Sequence, residues 1–459
     1  MTILSADIGQ SAPTAAQREL SPPDLARFPL ACRGGTGDKT RLRMQRVLTP
    51  LRTIFRQREF LVVLGANIVL GLSASFVSPF LSMFGTIEVG MNPAAFGVFM
   101  TVTAVSTVLI ATWLSQRSDT HHSRRTMLLL GSAGGVLGYL GYAFVRDVAL
   151  LVVIGSVALG VSSITFSQLF AHAREALGRS TVPAAEVPLY MNMFRMFFAL
   201  SWTVGPAVAA AALHLYSFRG LFLVAAALQL AFLGLVAAFV PDAPRNAQSP
   251  NPAAVSMRNL LTAPGVFAWF AAFVLVFTAG TMSMMNMSLL ILRVLGGTEA
   301  QVGIVFSLGP VFELPCMVYV GMLATRLDQP RLIRAAVLIS VVYYGALTLV
   351  RVPWQIYPLQ FLSAAFISVT TGVAITFFQD KLPKQPGAAT NIYVNAMRIG
   401  ATAGYLLFGS IAAGLGYRAV YAACALLSLG ALGLMLQQRS RDARAARQGR
   451  RASPSSAGG

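Results

Sequence analysis

The chain has 459 residues, of which 56% are hydrophobic and only 11% charged, and its formal net charge is +19. A mean hydropathy of +0.66 excludes a water-soluble globular domain. Apolar runs of about 20 residues recur along the chain, and each can cross a bilayer core of roughly 30 Å as a helix. Because backbone polar groups cannot stay unpaired in lipid, we predict an all-α polytopic membrane protein.

The predicted elements begin after a long polar segment. Residues 1–57 are rich in Pro, Ser, Ala, Gly and Arg without periodicity, and we expect a disordered basic cytoplasmic tail. Twelve apolar spans follow. A Pro- and Asn-rich linker at 241–263 divides them into an N-terminal six-helix half, 58–240, and a C-terminal six-helix half, 264–437. Residues 438–459 form a second basic tail.

The distribution of positive charge predicts the orientation. Of the 35 Lys and Arg residues, two lie inside spans and five lie on one set of loops, namely Arg146, Arg219, Arg293, Arg351 and Arg418. All the others fall on the opposite side, which the positive-inside rule assigns to the cytoplasm together with both termini. The excess of positive residues therefore faces the anionic lipids of the cytoplasmic leaflet. This accounts for the net charge, and we expect no nucleic-acid partner.

The two halves repeat each other in sequence. The matched segments, in chain order, are Arg117-x-Asp119 with Arg326-x-Asp328, Ile164–Gln168 with Ile375–Gln379, Tyr190-x-Asn192-x-x-Arg195 with Tyr393-x-Asn395-x-x-Arg398, and Phe218-Arg219 with Tyr417-Arg418. Four matches in register indicate two parallel six-helix pseudo-repeats. Transporters built this way hold their substrate between the halves near the bilayer midplane.

Glu313 is the acidic residue that stands out among sixteen. The other fifteen lie in tails, loops or helix ends, whereas Glu313 lies near the centre of an apolar run between Pro310 and Pro315. An intramembrane carboxylate is expensive, so it should face a wet cavity, where it can carry one proton per transport cycle. The alternative is a structural acid that hydrogen-bonds a neighbouring helix.

Arg195 and Arg398 lie about two turns into spans five and eleven. Arginine stays protonated, so neither carries protons, but either guanidinium can bind an anionic or hydroxylated substrate or pair with Glu313. The alternative is that both extend to the cytoplasmic interface.

Further substrate-binding candidates are polar or aromatic residues that recur in the repeat: Gln168, Gln379, Asn192, Asn395, Tyr190 and Tyr393. Their amides suit ligands rich in hydroxyl groups and their rings can stack on sugar faces. The alternative is that they form hydrogen bonds and packing contacts between helices.

The loop between spans two and three carries Arg117, Asp119, Arg124 and Arg125. An acid followed by paired arginines on a short cytoplasmic loop can bridge helix ends across the halves. We predict a conformational latch that holds the cytoplasmic side closed and breaks when it opens.

The sequence offers no case for an enzyme. It contains no Walker loop, dinucleotide fingerprint or nucleophile elbow. Its three cysteines, Cys32, Cys316 and Cys424, have neither disulfide nor zinc-ligand spacing. We therefore expect no cofactor and no metal site.

These motifs carry a family resemblance. The Arg117–Arg125 loop resembles the loop 2–3 signature of the major facilitator superfamily. Ser167–Glu175, Phe312–Pro315 and Phe378–Arg398 resemble the Set-type sugar efflux transporters of bacteria. The resemblance covers about residues 60–437.

The resemblance implies a proton-driven exporter of sugars or glycosides in the bacterial inner membrane. It places Glu313, Arg195, Gln168, Gln379 and Arg398 on cavity-facing motifs. We separately expect a multi-pass monomer whose partners are protons, a small-molecule substrate and the lipid bilayer. Two alternatives stay open: a multidrug or amphiphile antiporter of the same fold, and a non-transporting receptor built on a transporter scaffold.

Overall fold

The computed structural model describes residues 58–452 apart from 122, 181, 184–185, 243–264, 325 and 383–385. The long helices of this part of the chain are α1 Arg58–Val77, α2 Pro93–His121, α3 Arg124–Phe144, α4 Val148–Ser162, α5 Ile164–Arg179, α6 Val187–Phe239, α7 Val266–Leu289, α8 Glu299–Ala324, α9 Gln329–Leu349, α10 Ile356–Lys381, α11 Pro386–Leu415 and α12 Tyr417–Ala452. No strand occurs among the described residues.

Local sequence signals set several helix boundaries. Ser123 caps α3 by accepting a hydrogen bond from the backbone N–H of Thr126, and Asp147 caps α4 by accepting one from Leu150. Gly265 precedes α7 with a φ of 76°, in the left-handed region that glycine adopts without steric penalty. The α4 and α5 helices meet at Ser163 and together make one crossing, Val148–Arg179.

The helices cross the membrane twelve times, as predicted. Eleven continuous helices among the described residues are long and apolar enough to span. One of them, α6, has 53 residues and would measure about 80 Å if straight, far more than a bilayer core. Ser217, with φ 58° and ψ −173°, breaks α6 into two successive crossings. The predicted fold class is therefore confirmed.

Packing follows the two halves. In the first half α6 packs on α1 and α3, and in the second half α7 packs on α11 and α12. Contacts between the halves run along two helix pairs, α2 with α11 and α6 with α8. These two pairs are equivalent under the sequence repeat.

One end of the bundle is sealed by contacts between the halves. A Cβ atom placed on Gly97 of α2 would lie 2.8 Å from the Cα of Gly409 in α11, so the two backbones touch. A Cβ atom placed on Gly303 of α8 would likewise lie 2.8 Å from the carbonyl oxygen of Pro206 in α6. At the same end, the Ser288 hydroxyl donates to the Pro79 carbonyl across the halves. We call this set of contacts the end seal.

The predicted domain boundaries fall partly outside the described residues. The tail at 1–57 lies wholly outside them, as does nearly all of the linker at 241–263. The last helix, α12, continues beyond residue 437 as far as Ala452, so the beginning of the predicted basic tail is helical.

Candidate functional site

A cavity of about 460 Å³ lies between the halves, and we call it the carboxylate cavity. Its walls come from α6 in the first half and from α7, α8, α9 and α10 in the second. The polar and charged side chains among its lining residues are Ser283, Glu313, Tyr343, Tyr344, Gln360, Ser363, Thr370 and Thr371. The structure therefore brings Glu313 into a cavity bounded by both halves.

The sequence of α8 explains how Glu313 reaches this cavity. Pro310 and Pro315 lie inside the helix, and each removes a backbone N–H from the helical ladder. Gly309 and Pro310 line the cavity beside the acid. The Ser368 hydroxyl of α10 lies 3.4 Å from the Glu313 carbonyl oxygen and can donate to it, which ties the backbone of this segment to the neighbouring helix.

Arg195 of α6 is the positively charged residue that acts electrostatically on Glu313. It acts in the same way on Tyr393 of α11, whose hydroxyl donates to the Thr370 carbonyl at 3.2 Å. Arg195 and Glu313 form no direct ion pair among the contacts of the described residues. Arg195 is exposed and is not among the residues that line the carboxylate cavity.

A polar network at the cavity wall was missed in the sequence. The Tyr343 hydroxyl of α9 lies within hydrogen-bonding reach of Gln360, Ser363 and Ser283, and the Gln360 amide nitrogen is 3.5 Å from it. Gln360 is only 5% exposed. Gln360 is a polar amide between two apolar residues in span ten. A lone polar side chain in an apolar span is the sequence signal that could have identified it as a candidate site residue.

The rest of the carboxylate cavity is apolar and largely aromatic. Its rings and thioethers come from three helices of the second half and from α6; they are Phe198, Trp202, Phe277, Phe306, Phe366, Met284 and Met287. Aromatic faces of this kind suit either the apolar face of a sugar ring or a hydrophobic ligand.

A second, larger cavity of about 980 Å³ is the counterpart of the first under the repeat, and we call it the arginine cavity. The first four crossings of the N-terminal half and α11 of the other half bound it. Arg398 lines it, together with Asn391 and the hydroxyls of Thr103, Thr107, Ser163, Ser167 and Thr402. Arg195 and Arg398 are thus equivalent in sequence, but only Arg398 is among the lining residues of these two cavities.

The two repeated glutamines occupy different settings. Gln168 is buried, and its side-chain oxygen accepts a hydrogen bond from Arg124 at 3.0 Å. Arg124 also pairs with Glu175 at 2.6 Å. Gln379 instead donates to the Thr390 hydroxyl at 3.0 Å. Neither glutamine lines the two cavities described above.

The remaining candidates lie near the same helices. Tyr190 is buried and packs edge-on against Phe60, with ring centroids 6.4 Å apart. Tyr393 packs edge-on against Phe277, a lining residue of the carboxylate cavity, at 5.4 Å. Asn192 is exposed on α6 and its repeat partner, Asn395 of α11, is half-buried. Of these four residues, Tyr393 is the one that contacts a lining residue of the carboxylate cavity among the contacts of the described residues.

The predicted latch is described in part. Arg117 and Asp119 fall at the end of α2, where side chains lie outside the described residues. Arg124 bonds to Glu175 and Gln168, and Arg125 donates to the Ala237 carbonyl at 2.6 Å. Both arginines thus make these bonds within their own half.

Comparison with known proteins agrees with this architecture. The sequence profile described as Major Facilitator Superfamily matches residues 63–354 and 269–458. Among solved structures, a mutant form of the nucleoside transporter NupG superposes with a TM-score of 0.70 at 12% identity, covering 83% of this chain and 99% of its own. At that identity the likeness shows the fold alone.

Curated relatives in bacteria are more similar in sequence. A provisionally named sugar efflux transporter of Deinococcus radiodurans is 38% identical over 376 residues, covering 81% of this chain and 95% of its own. Sugar efflux transporter A of Escherichia coli K12 is 30% identical over 364 residues, covering 79% and 92%. The chain belongs to the Major Facilitator Superfamily, within its sugar efflux transporter branch, and is a membrane-embedded secondary transporter of small molecules rather than an enzyme.

Proposed function

We propose that this transporter exports a sugar or glycoside in exchange for protons. The observation that supports this most is the carboxylate of Glu313, which lines a cavity between the halves, is acted on by the positive charge of Arg195 and forms no direct ion pair with it among the contacts of the described residues. A carboxyl in such a place can gain and lose a proton without breaking a structural bond, which is what coupling requires.

Arg195 supplies the link between proton and substrate. An ionised Glu313 can accept hydrogen bonds from substrate hydroxyls while Arg195 donates to other substrate oxygens, whereas a protonated Glu313 has lost that charge and binds substrate less well. Substrate binding from the cytoplasm would then favour proton release there, and proton uptake from the outside would favour substrate release, so that proton and substrate compete for the same carboxylate. Because Arg195 lies on α6 and Glu313 on α8, a change in the charge of Glu313 also changes the electrostatic attraction between the halves.

The lining of the two cavities supports a hydroxylated substrate. The network of Tyr343, Gln360 and Ser363 offers donors and acceptors beside aromatic rings, the combination that recognises a sugar. In the arginine cavity, the Thr402 and Ser167 hydroxyls donate to backbone carbonyls of their own helices. Their lone pairs are left to accept from substrate hydroxyls. The names of the bacterial relatives favour the same class of substrate.

In an alternating-access cycle, the end seal would close one side of the transporter while the cavities are open to the other side. By the positive-inside prediction the sealed end faces outward, so the cavities here connect to the cytoplasm. Gly303 precedes Glu313 by ten residues of α8, about 15 Å of helix, which puts the acid well inside the seal. Rocking the halves would open the seal and let the latch of Asp119, Arg124 and Arg125 close the cytoplasmic side.

A second candidate function has its own observation. The carboxylate cavity is lined by seven aromatic residues and by the thioethers of Met284 and Met287. Flexible sulfur-containing side chains beside rings are typical of sites that accept varied apolar ligands. The same protein could therefore export amphiphilic drugs by the same proton exchange.

One flux experiment separates these functions. The purified transporter is placed in liposomes with an imposed pH gradient, and labelled sugars, glycosides and a lipophilic cationic dye are tested. Accumulation of a sugar against its gradient, abolished when a protonophore collapses the pH gradient, supports sugar–proton antiport. Movement of the dye alone would refute the sugar assignment, and sugar flux insensitive to the pH gradient would refute the proton coupling.

A further inference from the structure

A compact group of positive charges lies at one end of the C-terminal half, apart from both cavities. Arg331 and Arg334 of α9, Lys381 at the end of α10 and Arg439 of α12 line a pocket of about 200 Å³ with a single acid, Asp328. We call it the basic pocket. Its volume equals the share of about seven water molecules, enough for a phosphate group.

The positive charges in the basic pocket are not neutralised from within. Arg331 lies 3.9 Å from Asp328 with both side chains largely exposed, a distance and exposure at which an ion pair is weak. Arg334 is acted on by the like charges of Arg439 and Arg331 and by the opposite charge of Asp328, so a single acid stands against several cations. Among the contacts of the described residues, Arg334 and Arg439 have no hydrogen bond or ion pair, and Lys381 only lies over the Phe377 ring at 5.9 Å.

The N-terminal half makes the contrast clear. There Arg124 is bound by Glu175 and Gln168, Arg125 by a backbone carbonyl, and Arg179 by Glu59 at 2.5 Å. Arginines whose only role is to set the membrane topology could form such hydrogen bonds and ion pairs in either half. The unsatisfied set in the C-terminal half instead leaves space for an external anion.

The surroundings of the basic pocket identify the kind of anion. It lies where α7 and α9 begin and where α10 ends, which is the level of lipid headgroups. Trp269, also in its lining, packs at a tilted angle against Phe377 with ring centroids 4.4 Å apart, and tryptophan is enriched at the headgroup level.

Below the pocket, both flanking helices expose apolar side chains in line with the arginines. On α9, Leu338 and Val342 follow Arg334 at intervals of four residues, so the three share one face. On α12, Leu436 lies three residues before Arg439 and is also exposed. Since α9 packs against α12, this apolar surface is a track for acyl chains directly beneath the charges.

We propose that the basic pocket binds the phosphate of an anionic phospholipid, whose acyl chains lie along α9 and α12. A soluble phosphate would use the charges but not the apolar track. Basic pockets between transmembrane helices at the cytoplasmic side are suited to such headgroups, and each nearby Lys or Arg contributes about fivefold in affinity. The site does not depend on the transported substrate.

The experiment titrates lipids onto the purified full-length transporter and counts bound molecules by native mass spectrometry. Phosphatidylglycerol and cardiolipin are compared with phosphatidylethanolamine and with inorganic phosphate. We expect tight retention of the two anionic lipids only, and a loss of roughly 100-fold in their affinity in the triple variant Arg334→Gln, Lys381→Gln, Arg439→Gln. Arg351→Gln, at the opposite end of α9, is the matched control and should bind as wild type does.

Unchanged lipid affinity in the triple variant would overturn the proposal, and so would an equal loss in Arg351→Gln. Competition by inorganic phosphate at the affinity of the lipid would assign the pocket to a soluble ligand and also refute it. Should the triple variant fail to fold, Lys381→Gln alone, an exposed position, must still lower the affinity about fivefold.

Discussion

The end seal predicts that a single methyl group can shift the transporter toward its other state. A Cβ on Gly97 would lie 2.8 Å from the Gly409 Cα and from the Tyr405 carbonyl oxygen, whereas ordinary contact begins at 3.4 Å. Both neighbours are backbone atoms, so α2 and α11 must separate by about 0.6 Å to admit it. Overpacking of this kind costs roughly 1–3 kcal/mol. If only the sealed state bears that cost, Gly97→Ala raises the population of the state open at this end roughly 5- to 150-fold.

Cysteine labelling measures this shift. Thr371, a lining residue of the carboxylate cavity, is replaced by cysteine in a background in which Cys32, Cys316 and Cys424 are serine. A membrane-impermeant maleimide added outside the cell should then react 5- to 150-fold faster when Gly97→Ala is present.

The matched control for that experiment is Gly345→Ala in α9, where a new Cβ meets nothing within 4 Å. It should leave the labelling rate unchanged. An unchanged rate in Gly97→Ala, or the same acceleration in the control, would refute the assignment of this contact as the seal.

Three further substitutions test other parts of the account. Arg195→Gln should raise the substrate KM roughly 10- to 100-fold, since a hydrogen bond to a charged group contributes about 1.5–3 kcal/mol; unchanged transport kinetics would exclude substrate contact. Tyr343→Phe should raise KM roughly 2- to 10-fold by leaving Gln360 without its hydroxyl partner, as initial rates of uptake into liposomes would report. Ser217→Gly should stabilise the protein by roughly 1 kcal/mol in thermal unfolding, because φ 58° with ψ −173° is a conformation nearly restricted to glycine; a lower melting temperature would contradict this.

The sequence was sufficient to predict the number of crossings, because apolar length is set by bilayer thickness alone. It also predicted that span five is followed closely by span six, although one nearly continuous helix, α6, contains both and Ser217 provides the break. Glu313 could be singled out because a carboxylate inside an apolar run has few acceptable positions. Its place in a cavity between the halves follows from the same cost.

Sequence alone does not predict which of the repeated polar residues line a cavity, or which cavity each one lines. Arg195 and Arg398 have identical sequence contexts, yet the first acts on Glu313 and the second lines the arginine cavity, because each half contributes its fifth crossing to the other half's cavity. Gln168 is bonded to Arg124, a contact 44 residues apart in the chain that no local pattern reveals. Gln360 was overlooked because it has no counterpart in the repeated motifs.

The central claim is that Glu313 carries the proton, and flux through Glu313→Gln tests it most directly. In liposomes, wild type, Glu313→Gln and the same-helix control Glu299→Gln are compared for substrate exchange at equal pH and for accumulation driven by a pH gradient. We predict that Glu313→Gln retains exchange and loses gradient-driven accumulation, while Glu299→Gln keeps both. Accumulation by Glu313→Gln equal to that of wild type would show that this carboxyl is structural and would contradict the account.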